Sequence, residues 1–595
     1  MKKKHFVKFL VSFLMIMVMI GGLSAAPIAD DQEPVVLRII ETTDLHGSLF
    51  PYDFINDRES STSLTQVYTY VEQERAKDQE VVLLDNGDML QGQPIVYYYN
   101  FEKTDSEHIQ ASVMNAMGYD AASVGNHDIE AGHPVYDKIV KEFDFPWLAA
   151  NALDEATGNP YFEPYTILEK NGVKIAVLGL ITPGIPNWLP VDIWEGLFFD
   201  DMVKTAEKWV PIIQARENPD VLIGLFHAGV DYAYSGTADQ MYNENASQLV
   251  AERVEGFDVI FTGHDHIATN VVVKSPEGND VYIVGAQSAA RTVGSVEIVL
   301  DPDMWGHYNI RTITTENVAI ADFPASPAAL SAFGYAKDEV MDYVSKRIGT
   351  ITETISTRES FWGDNKFVDL IHSLQIDLTG ADVSFAAPLS LDASINKGPI
   401  YVRDMFNLYK YENLLYSMDM TGAEIDAFLE YSYKKWYNQM ADENDHLINF
   451  KKDADGKLIL NERYNTYDTV TRYYNYDSAA GIEYTVDVSK PAGDRVDITT
   501  MSKDGAAFDM NKHYVVAINS YRGNGGGGHL AAAGLTKEEY TTRVLSSTLA
   551  DLRFYLIKEF EKRGTVEPKV DNNWKAIPEL WVKNGAELDF PLFYK

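Results

Sequence analysis

Cysteine is absent from all 595 residues. Disulfides and thiolate metal ligation are therefore excluded, and so is a lipid anchor on an N-terminal cysteine. Positive charge is scarce: 50 Lys and Arg stand against 88 Asp and Glu, a formal net charge of −38. That balance argues against binding duplex nucleic acid or an anionic membrane, which need basic surface. An anionic small substrate stays compatible, because divalent cations dominate the field of their own site. Long apolar runs are missing beyond the N-terminus. There, MKKKHFVKFLVSFLMIMVMIGGLSAAP has a basic start, an apolar run and small residues. This pattern predicts a secretory signal peptide over 1–29, cleaved between Ala25 and Ala29, with an uncleaved membrane anchor as the rival reading. The C-terminal LDFPLFYK carries neither a hydrophobic tail nor a wall-sorting pattern. The expectation is a protein released beyond the membrane, with no stable anchor after cleavage.

What the chain does have is a recurring strand exit. Five segments end an apolar, β-rich stretch at glycine or a small polar residue: RIIETTDLHG at 38–47, VVLLDNGDMLQG at 81–92, ASVGNHD at 122–128, VLIGLFHAG at 221–229 and VIFTGHDH at 259–266. Buried strands deliver side chains to a sheet rim in this way, and open α/β sheets gather their sites at such rims. Eight candidates arrive there: Asp44, His46, Asp88, Asn126, His127, His227, His264 and His266. Two divalent ions sharing a bridging carboxylate use about seven N/O ligands, so the set predicts a binuclear metal site. Histidine, aspartate and asparagine suit zinc, manganese or iron alike.

The series D-x-H, GD-x-x-Q, GNH-[DE], H and GH-x-H resembles the calcineurin-like metallophosphoesterases. It is matched by Asp44-Leu45-His46, Gly87-Asp88 with Gln91, Gly125-Asn126-His127-Asp128, His227 and Gly263-His264-Asp265-His266. The resemblance implies an α/β fold with a four-layer α/β/β/α domain. It assigns Asp44, His46, Asp88 and His266 to one metal, and Asp88, Asn126, His227 and His264 to the other. It leaves His127 facing the leaving group, paired with Glu130.

From Val35 to Leu300 short β-runs alternate with segments of helical period. The stretch 323–351 then places two prolines before apolar residues at helical spacing, which predicts a connecting helix. The expected organisation is a metal domain over 30–325, a linker helix over 326–350 and a second domain over 351–595. The polar segment 440–475 reads as a surface excursion. Three stretches of the second domain stand out: 407–425, 474–496, and 517–534 with four consecutive glycines, Gly525 to Gly528. Glycines let backbone approach a ligand closely, so Asn524, Gly525 and Gly526 are candidate substrate-binding positions.

Together these stretches resemble the C-terminal domain of the 5′-nucleotidase family, and most of all its secreted 2′,3′-cyclic-nucleotide 2′-phosphodiesterase/3′-nucleotidase branch. The resemblance implies an α/β nucleotide-binding domain and an aromatic clamp on the nucleobase, carried over to Tyr411 and Tyr521. Every base offers a face to such a clamp. Two departures from the 5′ enzymes favour the cyclic branch: 384–400 holds no arginine where they have NGGGIR, and Gly527 stands where their loop has aspartate. The expected activity is hydrolysis of 2′,3′-cyclic nucleotides to 3′-nucleotides and then to nucleoside and phosphate, in extracellular salvage. A 5′-nucleotidase or nucleotide-sugar hydrolase is the alternative, and a non-catalytic secreted nucleotide-binding protein a second one.

Overall fold

The computed structural model describes residues 33–77, 79–234, 236–461 and 466–594. The predicted signal peptide, 1–29, lies outside them. No helix among the described residues is long and apolar enough to cross a membrane.

Two six-stranded sheets build the first half of the chain. In one, the strand Val35–Thr42 runs parallel to Glu80–Asp85, followed outward by Ala121–Ser123 and Trp147–Leu148. Its other side pairs antiparallel with Thr292–Pro302, then Tyr308–Ala319. The second sheet centres on the parallel strands Val173–Ile181, Val221–His227 and Val259–Thr262. These central strands are almost wholly apolar because both of their faces are covered. Leu37, Ile39 and Val82 of one sheet meet Val177, Ile223 and Phe261 of the other in a dry layer. The helices Leu64–Arg75 and Ile109–Met117 cover one outer face, and Met202–Glu217 and Ser247–Arg253 the other. The layers are therefore α/β/β/α, and the parallel strands of both sheets end on the same rim.

Pro327–Val344 is a helix whose cap, Ser326, accepts from the amide of Ala329. Ala336, Val340 and Val344 bury against the first domain's core, so the connection is packed rather than free. Beyond it a five-stranded sheet runs Ser478–Ala480, Val383–Ala386, His513–Asn519, Leu415–Thr421 and Val544–Ser547, with an apolar core on each face. The reading of 440–475 as a surface excursion holds for 451–460, nearly all of it exposed, and is corrected for the stretch before it. Met440, Leu447, Ile448 and Phe450 belong to the second domain's core, and the amide of Ile448 is held by the buried Asp589 at 2.8 Å. The polar residues between these anchors hid them from the sequence pattern.

The domains meet around Arg553, which is fully buried. Its guanidinium lies 4.0 Å from the Phe406 ring centre and 5.0 Å from that of Tyr97, a first-domain residue. It pairs with Glu412 at 3.0 Å, while the Tyr97 hydroxyl donates to Asp551 at 3.1 Å. This contact sets the loop carrying Tyr411 and Glu412 against the rim of the first domain.

Candidate metal centre and substrate cleft

Each predicted ligand leaves the end of a parallel strand. Asp44 follows Val35–Thr42, Asp88 follows Glu80–Asp85, Asn126 follows Ala121–Ser123, His227 ends its own strand, and His264 follows Val259–Thr262. Five of the candidates, Asp44, His46, Asp88, His264 and His266, adopt φ between 47° and 75°. Left-handed backbone is unfavourable for non-glycine residues and persists where the surroundings over-determine it.

The buried Asp128 supplies much of that determination. One carboxylate oxygen accepts from the amides of Gly125 at 2.8 Å and Asp88 at 3.0 Å; the other accepts from Met89 at 2.9 Å and Leu90 at 3.1 Å. The loop carrying Asp88 is thereby wrapped around one side chain. Gly125 is required by the same packing, since a Cβ there would stand 2.2 Å from the Asp88 Oδ1. Asp88 Oδ1 also accepts from the amide of His127 at 2.8 Å. Its other oxygen, Oδ2, is buried without a hydrogen-bond partner and lies 3.1 Å from His227 Nε2.

Two donor sets share Asp88. Ligand atoms of Asp44, His46, Asp88 and His266 all lie within 4.8 Å of one another, as do those of Asp88, His227 and His264. Asn126 joins the second set, with Oδ1 2.8 Å from His264 Nδ1 and 3.2 Å from His227 Nε2. His46 Nδ1 faces the Gln91 carbonyl at 2.9 Å and His227 Nδ1 faces the Asn86 carbonyl. Donation from Nδ1 to these carbonyls points Nε2 of each ring inward, where a cation would take it. His46 Nε2 then lies 3.0 Å from His266 Nε2, and His264 Nδ1 faces an amide oxygen. Lone pairs meeting lone pairs at such distances fit neighbouring ligands on one cation.

The charges agree. Burial and then the charge of His266 push His46 down to about 3, so it is neutral. Burial opposes a charge on His227, but Asp88 outweighs it and holds the imidazole up to about 10 in the absence of a cation. A metal ion would replace that proton. His127 falls in neither donor set. Its Nδ1 is hydrogen-bonded to Glu130, and Asp88 and Glu130 overcome burial to raise it to about 9.

Tyr411 stands in the loop after the helix Val402–Leu408, and Tyr521 in the short helix Ser520–Gly523; both are half-buried. The glycine loop has a physical basis that the sequence alone did not suggest. A Cβ at Gly526 would meet the Tyr521 ring at 2.6 Å, and one at Gly527 would meet Arg522 Nη1 at 2.1 Å. The glycines thus seat Tyr521 and a buried arginine. Arg522 donates to the carbonyls of Gly526 at 2.6 Å and Tyr474 at 3.0 Å, and to Asp477 at 2.7 Å. Gly525, at φ 99°, packs against Tyr540, while Asn524 reaches the Tyr416 hydroxyl at 3.5 Å.

Several residues of the site were not legible in the sequence. Trp188 stacks on His264 with ring centres 5.5 Å apart, and Glu244 faces His264 Nε2 at 3.0 Å. Tyr474 is half-buried, and burial raises its hydroxyl, with Tyr234, Tyr521 and Tyr411 adding to the effect. It is a third aromatic beside the pair. The only sequence signal for it was its place at the head of 474–496.

A family model described as calcineurin-like phosphoesterase matches residues 37–268, and one described as 5′-nucleotidase, C-terminal domain, matches 347–534. A trifunctional nucleotide phosphoesterase protein of Bacillus subtilis is 27% identical over 95% of this chain, which spans only 40% of that protein's length. A 2′,3′-cyclic-nucleotide 2′-phosphodiesterase/3′-nucleotidase of Yersinia enterocolitica is 26% identical over 91% of this chain and 88% of its own. Among solved structures, a candidate 5′-nucleotidase of Staphylococcus aureus superposes with a TM-score of 0.73 at 21% identity, covering 91% of this chain and 99% of its own. The fold is shared with it.

Proposed function

We propose that the chain, whose residues 37–268 match the calcineurin-like phosphoesterase model and 347–534 the 5′-nucleotidase C-terminal model, hydrolyses 2′,3′-cyclic nucleotides to 3′-nucleotides and these to nucleoside and phosphate. The observation that carries the reading is Asp88, one carboxylate common to two convergent donor sets. Two divalent ions held by Asp44, His46, Asp88 and His266, and by Asp88, Asn126, His227 and His264, would supply a hydroxide near neutral pH and neutralise the phosphoryl oxygens. Asn126 adds an amide beside those oxygens. His127 is left to hold a proton at Nε2 for the leaving alkoxide, with Nδ1 fixed by Glu130. Opening a cyclic substrate at its 2′ oxygen leaves a 3′-monophosphate, and a second hydrolysis releases phosphate. Tyr411 and Tyr521 stack on the base, and Asn524, Gly525 and Gly526 line the cleft beside it.

Preference for cyclic and 3′ substrates is supported by the missing arginine in 384–400 and by Gly527, and by the names of relatives that cover most of the chain. The N-terminal sequence supports a reaction outside the cytoplasm, in salvage of extracellular nucleotides. The test is phosphate release from 2′,3′-cAMP, 3′-AMP and 5′-AMP by the purified protein. A kcat/KM for 5′-AMP equal to or above that for 3′-AMP sinks the branch assignment and leaves a 5′-nucleotidase.

A further inference from the structure

We infer that Glu244 is a positioning residue for the second metal. It would fix the tautomer and orientation of His264, and so strengthen one of the two ions selectively. The inference rests on the two-ion reading above.

The geometry begins at His264. Nδ1 points to Asn126 Oδ1 at 2.8 Å, inside the donor set, while Nε2 points outward to Glu244 Oε1 at 3.0 Å. With its proton on Nε2, the ring donates to the carboxylate and turns the Nδ1 lone pair inward. The two other histidines whose outward nitrogens have a described partner use backbone carbonyls, Gln91 for His46 and Asn86 for His227. A carboxylate in that role carries a full charge. It raises the basicity of the ligand nitrogen and holds the ring plane more firmly than a neutral carbonyl. Trp188 closes the assembly by stacking on His264 at an interplanar angle of 25°, so the imidazole is fixed by an ion-facing atom, a carboxylate and an aromatic face.

The backbone carrying Glu244 is itself pinned. Asn245 Oδ1 accepts from the amide of Gly229 at 3.2 Å, Asn243 Nδ2 donates to the Tyr232 carbonyl at 2.9 Å, and the Tyr242 amide donates to Asp201 at 2.7 Å. Ser247 ties the following helix to the Ala228 carbonyl at 2.8 Å, beside His227. The loop is therefore anchored after Glu244 to the end of the strand that delivers His227, and before it to Tyr232 and to Asp201, the cap of the helix Met202–Glu217. Glu244 also acts on Tyr521. Burial pushes the Tyr521 hydroxyl up to about 12, and the Glu244 charge adds to that shift. A direct substrate contact is thus the competing role, and the experiment has to separate the two.

The test is metal retention by full-length protein loaded with manganese and dialysed against graded chelator, with manganese per chain read by elemental analysis. Wild type is expected to hold two ions. Glu244→Ala should lose one of them at about 10–100-fold lower chelator concentration, while the other leaves at the wild-type concentration. Glu244→Gln, whose amide oxygen still accepts from Nε2, should restore part of that retention and guards against a variant that fails to fold. Retention equal to wild type in Glu244→Ala overturns the inference, and equal weakening of both ions overturns it too. A raised KM for 3′-AMP with unchanged metal content also overturns it, by making Glu244 a substrate contact. A wild-type chain that holds fewer than two ions overturns the two-ion reading itself, and this inference with it.

Discussion

Replacing Asp128 by Asn keeps the size of the side chain and removes what the loop around Asp88 is wrapped on. The carboxylate accepts four amide hydrogens, from Gly125 and Asp88 on one oxygen and from Met89 and Leu90 on the other. An asparagine can satisfy one pair through its oxygen, and it must then turn its NH2 toward the other two N–H groups. Hydrogen bonds to a charged acceptor contribute about 1.5–3 kcal/mol each, so losing two costs about 3–6 kcal/mol. The loss is partly offset. Burial and the neighbouring Asp88 charge push Asp128 up to about 7, and a neutral side chain relieves that strain. A net destabilisation of about 2–4 kcal/mol is expected, near the upper end for single substitutions. In a domain of this size that corresponds to a fall in Tm of roughly 4–15 °C. The assay is differential scanning calorimetry of metal-free protein, paired with manganese content after loading. Because Asp88 belongs to both donor sets, Asp128→Asn should lower retention of both ions together, unlike Glu244→Ala. A Tm within about one degree of wild type, with two ions held normally, would refute the argument that this carboxylate sets the position of Asp88.

Asp88→Asn should abolish turnover together with metal binding, whereas His127→Ala should keep its metal and lose about 10²–10⁴-fold in kcat; parallel metal loss in the two variants would contradict the separation of roles. Tyr411→Ala and Tyr521→Ala should each reduce kcat/KM for 3′-AMP by about 5- to 150-fold, from a stacking contribution of about 1–3 kcal/mol. Bis(p-nitrophenyl) phosphate, which has no base, should be affected far less, and equal losses on both substrates with a lowered Tm would make the rings packing residues. Away from the site, Asp364, Asp369 and Asp571 bring three carboxylates together, and burial followed by the Asp364 and Asp571 charges pushes Asp369 up to about 9. A carboxyl whose folded pKa is raised contributes stability at acid pH that is lost as pH rises through that value. Asp369→Asn should therefore raise Tm at pH 8 and leave it nearly unchanged at pH 4, and a uniform shift at both pH values would count against the repulsion.

The sequence determined the strand exits and the order of their ligands, because a buried strand leaves a strong local trace: an apolar run, a glycine break, and a polar residue where none is needed for packing. Asp44, His46, Asp88, Asn126, His227, His264 and His266 were legible for that reason, and the structure brings all seven to one rim. The α/β/β/α layering came through resemblance rather than from periodicity, since runs buried on both faces look alike whichever sheet they join. Tertiary structure alone decided what surrounds the ligands. Glu244 and Trp188 are ordinary turn residues in the sequence, and Asp128 was visible only as a motif position without a role; what they do depends on partners 20 to 76 positions away in the chain. The glycine run shows the same division. Its composition announced a close approach, but only the packing revealed that the approaching groups are Tyr521 and Arg522. Likewise Met440, Leu447 and Ile448 were hidden among polar neighbours and became core through contacts with the far end of the chain. Local patterns record how a residue relates to its own strand or helix, whereas a hydrogen bond or contact across elements leaves no periodic trace and exists only once the fold has formed.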